Sequence, residues 1–362
     1  MPNRLILLVA AALLLPALAH AQTQSFLKVN LGKDASVFGA PSGARGISMG
    51  ITGVADPTDP TNVFYNPSVI GLMQGAAITQ SYVSWADLPD IKNRSTLDFG
   101  IAGAWAFRGE ETTSFRVAGS LRFNRYRSEI VFENRTIFLP SGTGRALSFD
   151  ENEWNANFSL AGAVAVGRFE AALGASVKPA RIDFFGETLS GVAFDVGVLS
   201  RVTIGGVDGF RLIPSIGASV LNMGDDMRHE QNGIGLDVPL PKGTRVGGGV
   251  RLESPRSDAY DAPYLSLAAN AEVLDETGED GGSKNYMGGE VGFLDVLMLR
   301  AGYLPVDRDD SLPDDKTGRT TYGLGIAWAF NTVRVGMDYT QIPDFSEGET
   351  VESFGLWAFL TY

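Results

Sequence analysis

The 362-residue sequence contains no cysteine and only two histidines. Without cysteine, the chain can form no disulfide and has no thiol nucleophile or thiolate metal ligand. His20 lies in the first 21 residues, and His229 stands alone in a predicted loop. The sequence therefore lacks the residues that a Ser–His–Asp triad, a Cys–His pair or a zinc site requires. We expect no enzymatic activity, no bound metal and no cofactor.

Long hydrophobic runs are also missing after residue 21. Before it, Arg4 is followed by the apolar residues 5–18, and residues 19–21 read Ala-His-Ala. This layout is typical of a secretory signal peptide with a small-residue cleavage site. The apolar run is shorter than the roughly 20 residues that a spanning helix needs. We therefore predict a signal peptide over residues 1–21; the alternative is an uncleaved N-terminal anchor.

Positive charge is scarce, because 29 Lys and Arg face 42 Asp and Glu, which gives a net charge of −13. Binding to the phosphates of a nucleic acid requires a basic surface. Nucleic acid is therefore not expected as a partner.

From residue 76 onward, apolar residues recur at every second position. In residues 322–330, for example, Tyr, Leu, Ile, Trp and Phe alternate with Gly and Ala. Alternation with period two is typical of a strand with one apolar face. The sequence therefore predicts an all-β chain with fourteen strands. These strands are predicted over residues 76–86, 95–107, 112–125, 153–166, 168–179, 189–204, 210–222, 243–253, 263–274, 285–293, 296–304, 320–330, 332–341 and 351–362.

The predicted connections alternate between long and short, as in 126–152 followed by a turn near residue 167. Long loops on one side and short turns on the other are typical of an outer-membrane barrel. We therefore predict a 14-stranded antiparallel transmembrane β-barrel in the outer membrane of a Gram-negative cell, with membrane lipid as a partner. An even number of strands puts both termini on the periplasmic side. The alternative is a soluble β-sandwich, which has no reason to segregate its loops by length.

If the apolar faces contact lipid, the charged residues face the lumen, since an Arg or Lys at the bilayer midplane costs about 2–4 kcal/mol. Small Gly and Ala residues share this predicted lumen face and leave room for a plug. The predicted lumen residues are Asp98, Arg116, Arg122, Asn155, Asn157, Glu170, Lys178, Asp195, Arg201, Arg245, Arg251, Glu253, Glu272, Glu290, Arg300, Arg334 and Asp338. They predict either a structural network of ion pairs or a path for a polar solute.

Residues 22–75 do not alternate. They are rich in Gly, Pro, Asn and Asp, which form turns, but they also contain apolar residues that a disordered tail would lack. We predict a hatch segment folded inside the lumen, ahead of a barrel domain over residues 76–362. A phosphate-binding loop is excluded because no Gly-Lys-Ser/Thr follows the glycines.

Several motifs of this chain resemble the PorV/PorQ family. Residues 43–50 read Gly-Ala-Arg-Gly-Ile-Ser-Met-Gly, an Ala-Asp pair follows, and residues 65–68 read Tyr-Asn-Pro-Ser. Family members are similar to the FadL class of barrels, which have fourteen strands and a hatch with an Asn-Pro-Ala turn. Ser68 stands where Ala is usual. Further matching motifs lie at residues 194–199, 216–224, 289–290, 299–303 and 322–326.

This resemblance implies two functions. PorV- and PorQ-like proteins work in type IX secretion, so the partners would be exported cargo and secretion-machinery proteins. FadL-like barrels instead take up hydrophobic small molecules through the outer membrane. A third alternative is a structural barrel without transport.

Two groups of candidate site residues follow from these alternatives. An apolar stretch in an exposed loop often marks a partner or ligand site. The candidate loop residues are Ile130, Val131, Phe132, Ile137, Phe138 and Leu139. The candidate hatch or gate residues are Arg45, Met49, Phe64, Tyr65, Asn66 and Pro67.

Overall fold

The structure is a computed structural model. It describes residues 38, 41–85, 91–108, 112–132, 147–184, 187–206, 209–231, 234–257, 262–277, 282–305, 318–330, 332–343 and 350–360. The predicted signal peptide and the loop residues Ile137, Phe138 and Leu139 lie outside these ranges. Within them, no helix is both long and apolar enough to span a bilayer.

In the described residues, fourteen long strands form one antiparallel sheet in which every strand pairs with its sequence neighbour. They are β1 (Gly75–Ser84), β2 (Ile91–Arg108), β3 (Thr113–Phe132), β4 (Leu147–Val166), β5 (Phe169–Phe184), β6 (Glu187–Val202), β7 (Arg211–Met223), β8 (Gly243–Glu253), β9 (Leu265–Glu276), β10 (Ser283–Phe293), β11 (Leu297–Pro305), β12 (Gly318–Phe330), β13 (Val333–Pro343) and β14 (Thr350–Leu360). Strand β14 pairs back onto β1, from Ala76 opposite Leu360 to Ser84 opposite Glu352. The sheet is therefore closed, and the predicted 14-stranded barrel is confirmed.

The two faces of the wall differ as the alternation predicts. Leu160 is 71% exposed on the outside, whereas its neighbours Ser159 and Ala161 point inward and are buried. An apolar outer face is what lipid requires. The predicted lumen charges point inward; Arg122, Asp195 and most of the others are buried.

The two ends of the barrel also differ. At one end, here called the short-turn end, β4 and β5 are joined by Gly167 and Arg168, and β10 and β11 by residues 294–296. Positive φ angles at Gly167, Leu294 and Asp295 make these tight connections possible. The other end, here called the long-loop end, carries the connection between β3 and β4.

The predicted loop 126–152 is wrong over much of its length, because β3 and β4 pair as far as Phe132 and Leu147. Residues 127–129 and 150–152 are all polar and residues 130–132 are all apolar, so the alternation disappears while the backbone pairing continues. The Ser128 hydroxyl donates to Glu151 across the pair at 2.5 Å.

The connection between the predicted strands 210–222 and 243–253 also contains regular structure. Two short strands, Met227–Gln231 and Ile234–Val238, pair with each other as a hairpin. Met227 and Leu240 are buried inside the barrel. This connection therefore folds partly into the lumen at the long-loop end.

Since the outer face contacts lipid, a charge placed there should destabilise the barrel according to its depth. Leu160 lies in the middle of residues 153–166 of β4. We expect Leu160→Arg to lower the free energy of unfolding by about 2–4 kcal/mol. Val166→Arg, at the short-turn end of the same strand, should cost about 0–1 kcal/mol. Denaturant titration of the refolded protein in lipid vesicles measures both values. Equal costs at the two positions would contradict a lipid-facing midplane at Leu160.

Candidate functional site

Residues 41–73, here called the hatch segment, lie inside the ring of strands. They contain a short helix, α1 (Ala44–Ser48), and two 3₁₀ turns, Pro60–Phe64 and Pro67–Leu72. Helix α1 packs against β11 to β14 and β1, whereas the second turn packs against β2 to β6. The segment therefore crosses the lumen and contacts opposite sides of the wall.

The hatch backbone touches the wall where the wall has glycine. A Cβ atom added to Gly288 would lie 2.1 Å from the Met49 carbonyl oxygen, and one added to Gly302 would lie 2.0 Å from the Gly50 nitrogen. Backbone atoms cannot move aside as a flexible side chain could. The same close approach of hatch atoms occurs at the inward-facing residues Gly174, Gly197, Gly217 and Gly323.

Two buried wall residues bind the hatch backbone directly. The Glu272 carboxylate accepts hydrogen bonds from the backbone nitrogens of Gly53 and Val54. Arg245 donates to the Ile51 carbonyl oxygen at 3.0 Å and forms an ion pair with Glu272 at 3.3 Å. Because burial without partners is costly for charged groups, this arrangement holds the hatch and satisfies the charges together.

Arg45 joins the hatch to the wall through its guanidinium group. Its Nη1 lies 2.7 Å from Asp56 within the hatch, and its Nε lies 2.9 Å from Glu290 on β10. Burial alone would raise the pKa of Asp56, but Arg45 and hydrogen bonds from Thr58 outweigh it and hold this pKa below its ordinary value. The pair therefore contributes at neutral pH, and this contribution is lost only as the pH falls through the lowered pKa.

Asn66 shapes the turn between the two halves of the hatch. Its side-chain nitrogen donates to the carbonyl oxygens of Val54, at 2.7 Å, and Val198 on β6, at 3.0 Å. Its side-chain oxygen accepts the backbone N–H of Ser68 and caps the following 3₁₀ turn. Pro67 occupies the first position of that turn, where no N–H is needed.

The predicted hatch residues all lie in the hatch segment inside the ring of strands. The backbone of residues 130–132 belongs to β3, whereas the side chains of Ile130, Val131 and Phe132 lie outside the described ones. Sequence reasoning placed Glu272 and Glu290 in the lumen without identifying them as hatch partners. Glycine at inward positions was the available signal for where the hatch makes contact. The gating role of the hatch residues stays a prediction.

Above the hatch, toward the long-loop end, the lumen contains a cluster of buried apolar side chains. The side chains there come from most sides of the wall and from the inward-folded connection, and each is at most 8% exposed. We call this set the long-loop apolar cluster. It comprises Phe38, Ile47, Val83, Trp85, Tyr126, Ala180, Ile182, Leu189, Ala193, Met227, Leu240, Tyr286, Leu304, Ile342 and Val351.

Below the hatch, a cavity of about 520 Å³ lies between the hatch segment and strands β10 to β14. It reaches the short-turn end, where Leu294 and Asp295 line it, and is here called the short-turn cavity. The second hatch turn fills the other side of the lumen at this level, because Val69 and Ile70 pack there against wall alanines. The charged residues that line the cavity are Arg45, Arg251, Arg256, Arg300, Arg334, Asp59, Glu290, Asp295 and Asp338.

No protein-family model and no curated protein matches the sequence. Solved structures with a similar fold include a monoaromatic hydrocarbon channel, the TodX deltaS2S3 mutant. It is 10% identical in sequence, the match covers 88% of this chain and 97% of that chain, and the TM-score is 0.49. A FadL homologue of Pseudomonas aeruginosa has 12% identity, with 94% of this chain and 98% of that chain covered and a TM-score of 0.45. The translocator domain of the Neisseria meningitidis autotransporter NalP has 14% identity, with 79% and 87% covered and a TM-score of 0.41.

These three TM-scores are below 0.5, so the functions of those proteins give no argument about the function of this chain. None of the three is named as a PorV or PorQ protein. The resemblance to that family therefore stays a prediction.

Because the hatch backbone lies against glycine, one added methyl group should displace it. We expect Gly288→Ala to push Met49 away and expose Arg45 to trypsin, detected by mass spectrometry of the digest. The matched control is Gly289→Ala, on the same strand but on the outer face, where the nearest contact would be 3.4 Å away. Identical digests of the two variants would contradict tight docking of the hatch.

Proposed function

We propose that this protein is an outer-membrane channel that admits small hydrophobic molecules at its long-loop end, with the hatch segment as its gate. The observation that carries this proposal is the long-loop apolar cluster, which lines most sides of the lumen at that end. The long-loop end is then the outer one, and the short-turn end faces the periplasm.

The chemistry of the lumen favours an apolar substrate. Barrels that conduct polar solutes have a polar, water-filled interior. In this barrel, Ile182, Leu189 and Ile342 instead point inward at the long-loop end and are at most 4% exposed. A molecule that enters must separate these packed side chains; an apolar molecule itself leaves water and replaces their apolar contacts, whereas a polar solute would lose its hydrogen bonds to water there. A hydrophobic molecule is therefore the solute that this end of the lumen would favour.

Passage requires the hatch to move, because it lies between the two ends of the lumen. The hatch rests against wall glycines and is held by Glu272, Arg245 and Glu290. A gate of this kind opens only if hatch-to-wall contacts break. The bonds of Asn66, which reach both Val54 in the hatch and Val198 in the wall, are among the contacts that would have to change.

A second candidate function is the binding of exported proteins at the cell surface, as the PorV/PorQ resemblance implies. One observation favours it: β3 and β4 are 20 residues long, whereas β1, which is separated from β3 by β2, has 10. The hairpin that they form therefore extends past β1 at the long-loop end, where a partner protein could contact it. This function does not require the hatch to move.

A disulfide that ties the hatch to the wall separates the two functions. The natural chain has no cysteine, so a single engineered disulfide is the only one that can form. A Cβ added to Gly71 would lie 3.4 Å from the Cβ of Ala163 on β4, close to the roughly 3.5–4.5 Å of a disulfide. The variant is the double substitution Gly71→Cys and Ala163→Cys, with each single substitution as a control.

The measurement is entry of N-phenyl-1-naphthylamine into Gram-negative cells that express the barrel, followed by its fluorescence. We expect the oxidised double variant to lose the uptake that wild-type protein confers and to recover it with dithiothreitol. The single variants should stay at the wild-type rate. Uptake that persists in the oxidised double variant would overturn gating by the hatch. Wild-type barrel that confers no uptake would overturn the channel function and favour the binding of exported proteins.

A further inference from the structure

The short-turn cavity lies on the opposite side of the hatch from the long-loop apolar cluster, and its chemistry is different. Guanidinium groups and carboxylates line one part of it, and aromatic and aliphatic side chains line another. Helix α1 forms its upper boundary through Ala44 and Arg45. A molecule could reach it from the short-turn end without passing the hatch.

Two carboxylates of the cavity, those of Glu290 and Asp338, are already occupied. Glu290 accepts hydrogen bonds from Arg45, Arg251 and Arg300, at 2.6–3.4 Å. Asp338 accepts one bond from Arg300 at 2.5 Å and one from the Trp357 ring nitrogen at 2.8 Å. Two carboxylate oxygens have about four lone-pair sites, so Glu290 has no room for another donor.

The guanidinium groups of Arg251, Arg300 and Arg334, in contrast, have N–H groups to spare. An arginine carries five N–H donors and no acceptor. Among the described contacts, Arg300 donates two hydrogen bonds, to Glu290 and Asp338. Arg251 pairs with Glu253, Glu290 and Asp295, and Arg334 pairs with Asp295. Each of the two still has N–H groups outside these contacts, and their side chains are 18% and 32% exposed. The cavity therefore offers more donors than acceptors, and an anionic group fits that excess.

The apolar part of the cavity lies beside these donors. Trp357 and Phe359 are in edge-to-face contact, with ring centroids 5.2 Å apart, and Met298 and Val296 line the same space. The Arg334 guanidinium lies 5.7 Å from the centroid of the Trp357 ring. A hydrophobic body bound against these side chains would bring an attached anionic group within reach of Arg334. Cavities of roughly 300–1,000 Å³ hold small organic ligands.

We propose that the short-turn cavity binds a small organic anion with an apolar body, whose anionic group pairs with Arg251 and Arg334 and whose body packs against Trp357 and Phe359. The site goes beyond the hydrophobic passage proposed above, because it lies on the other side of the hatch and recognises charge. Binding there needs no transport, so it can hold even if the channel function fails.

The test uses full-length mature protein in phosphatidylcholine nanodiscs and three probes that share parts of one structure. The probes are 4-phenylbutyrate, the neutral 4-phenyl-1-butanol and butyrate, with isothermal titration calorimetry as the measurement. We expect saturable binding of 4-phenylbutyrate and at least roughly tenfold weaker binding of the other two probes. The alcohol lacks the carboxylate, and butyrate lacks the phenyl ring. Equal binding of the acid and the alcohol, after subtraction of empty nanodiscs, would overturn the proposal.

Variants locate the site. Arg334→Gln should weaken 4-phenylbutyrate binding by roughly tenfold and leave the alcohol unchanged. The matched control is Arg181→Gln, at the long-loop end, where the side chain is 47% exposed and pairs with Asp183; it should bind like wild type. Should Arg334→Gln fail to fold, wild-type tryptophan fluorescence gives the second readout. The signal should change on binding, and Trp357→Phe should abolish that change. Unaltered binding in Arg334→Gln, or a fluorescence change that survives Trp357→Phe, would overturn this placement.

Discussion

The structure depends on one constraint: the wall is a closed ring in which every strand is paired on both sides. Lipid offers no hydrogen bonds, so an unpaired backbone group at the membrane would cost several kcal/mol. Pairing of β14 with β1 removes the two edges that an open sheet would leave. Closure also gives the sheet an inside and an outside. The period-two alternation of side chains then sorts apolar residues toward lipid and charged residues toward the lumen.

The second consequence of closure is a lumen that has to be filled. The hatch segment does this largely with its backbone, which approaches the wall where Gly288, Gly302 and Gly217 have no side chain. Charged wall residues then pair with groups that the hatch provides, as Glu272 does with two backbone N–H groups. The inward charges are therefore satisfied by the hatch as well as by each other. Shape and hydrogen bonding together fix the position of the segment.

The hatch divides the lumen into two unlike compartments. Toward the long loops, buried side chains such as Ile182 and Ile342 form an apolar cluster. Toward the short turns, arginines and carboxylates surround a cavity that the hatch leaves open beside β10 to β14. Arg45 fixes the hatch to Glu290 and also lines the short-turn cavity. A molecule in the cavity would therefore lie next to one of the contacts that hold the hatch.

Local alternation in the sequence was sufficient to determine the strands and their faces. Residues 243–253 were predicted as a strand with the same bounds that β8 has, because the side-chain period depends only on the chain itself. It failed at the ends of β3 and β4, where residues 130–132 are all apolar and residues 150–152 are all polar although the backbone pairing continues.

Only the tertiary structure decided which inward residues hold the hatch. Arg45 and Glu290 are 245 positions apart, and the path of a segment without periodicity is set by the cavity into which it folds. The same holds for the short-turn cavity, whose lining comes from the hatch and from several strands. Its shape exists only once the ring has closed and the hatch has filled the opposite side.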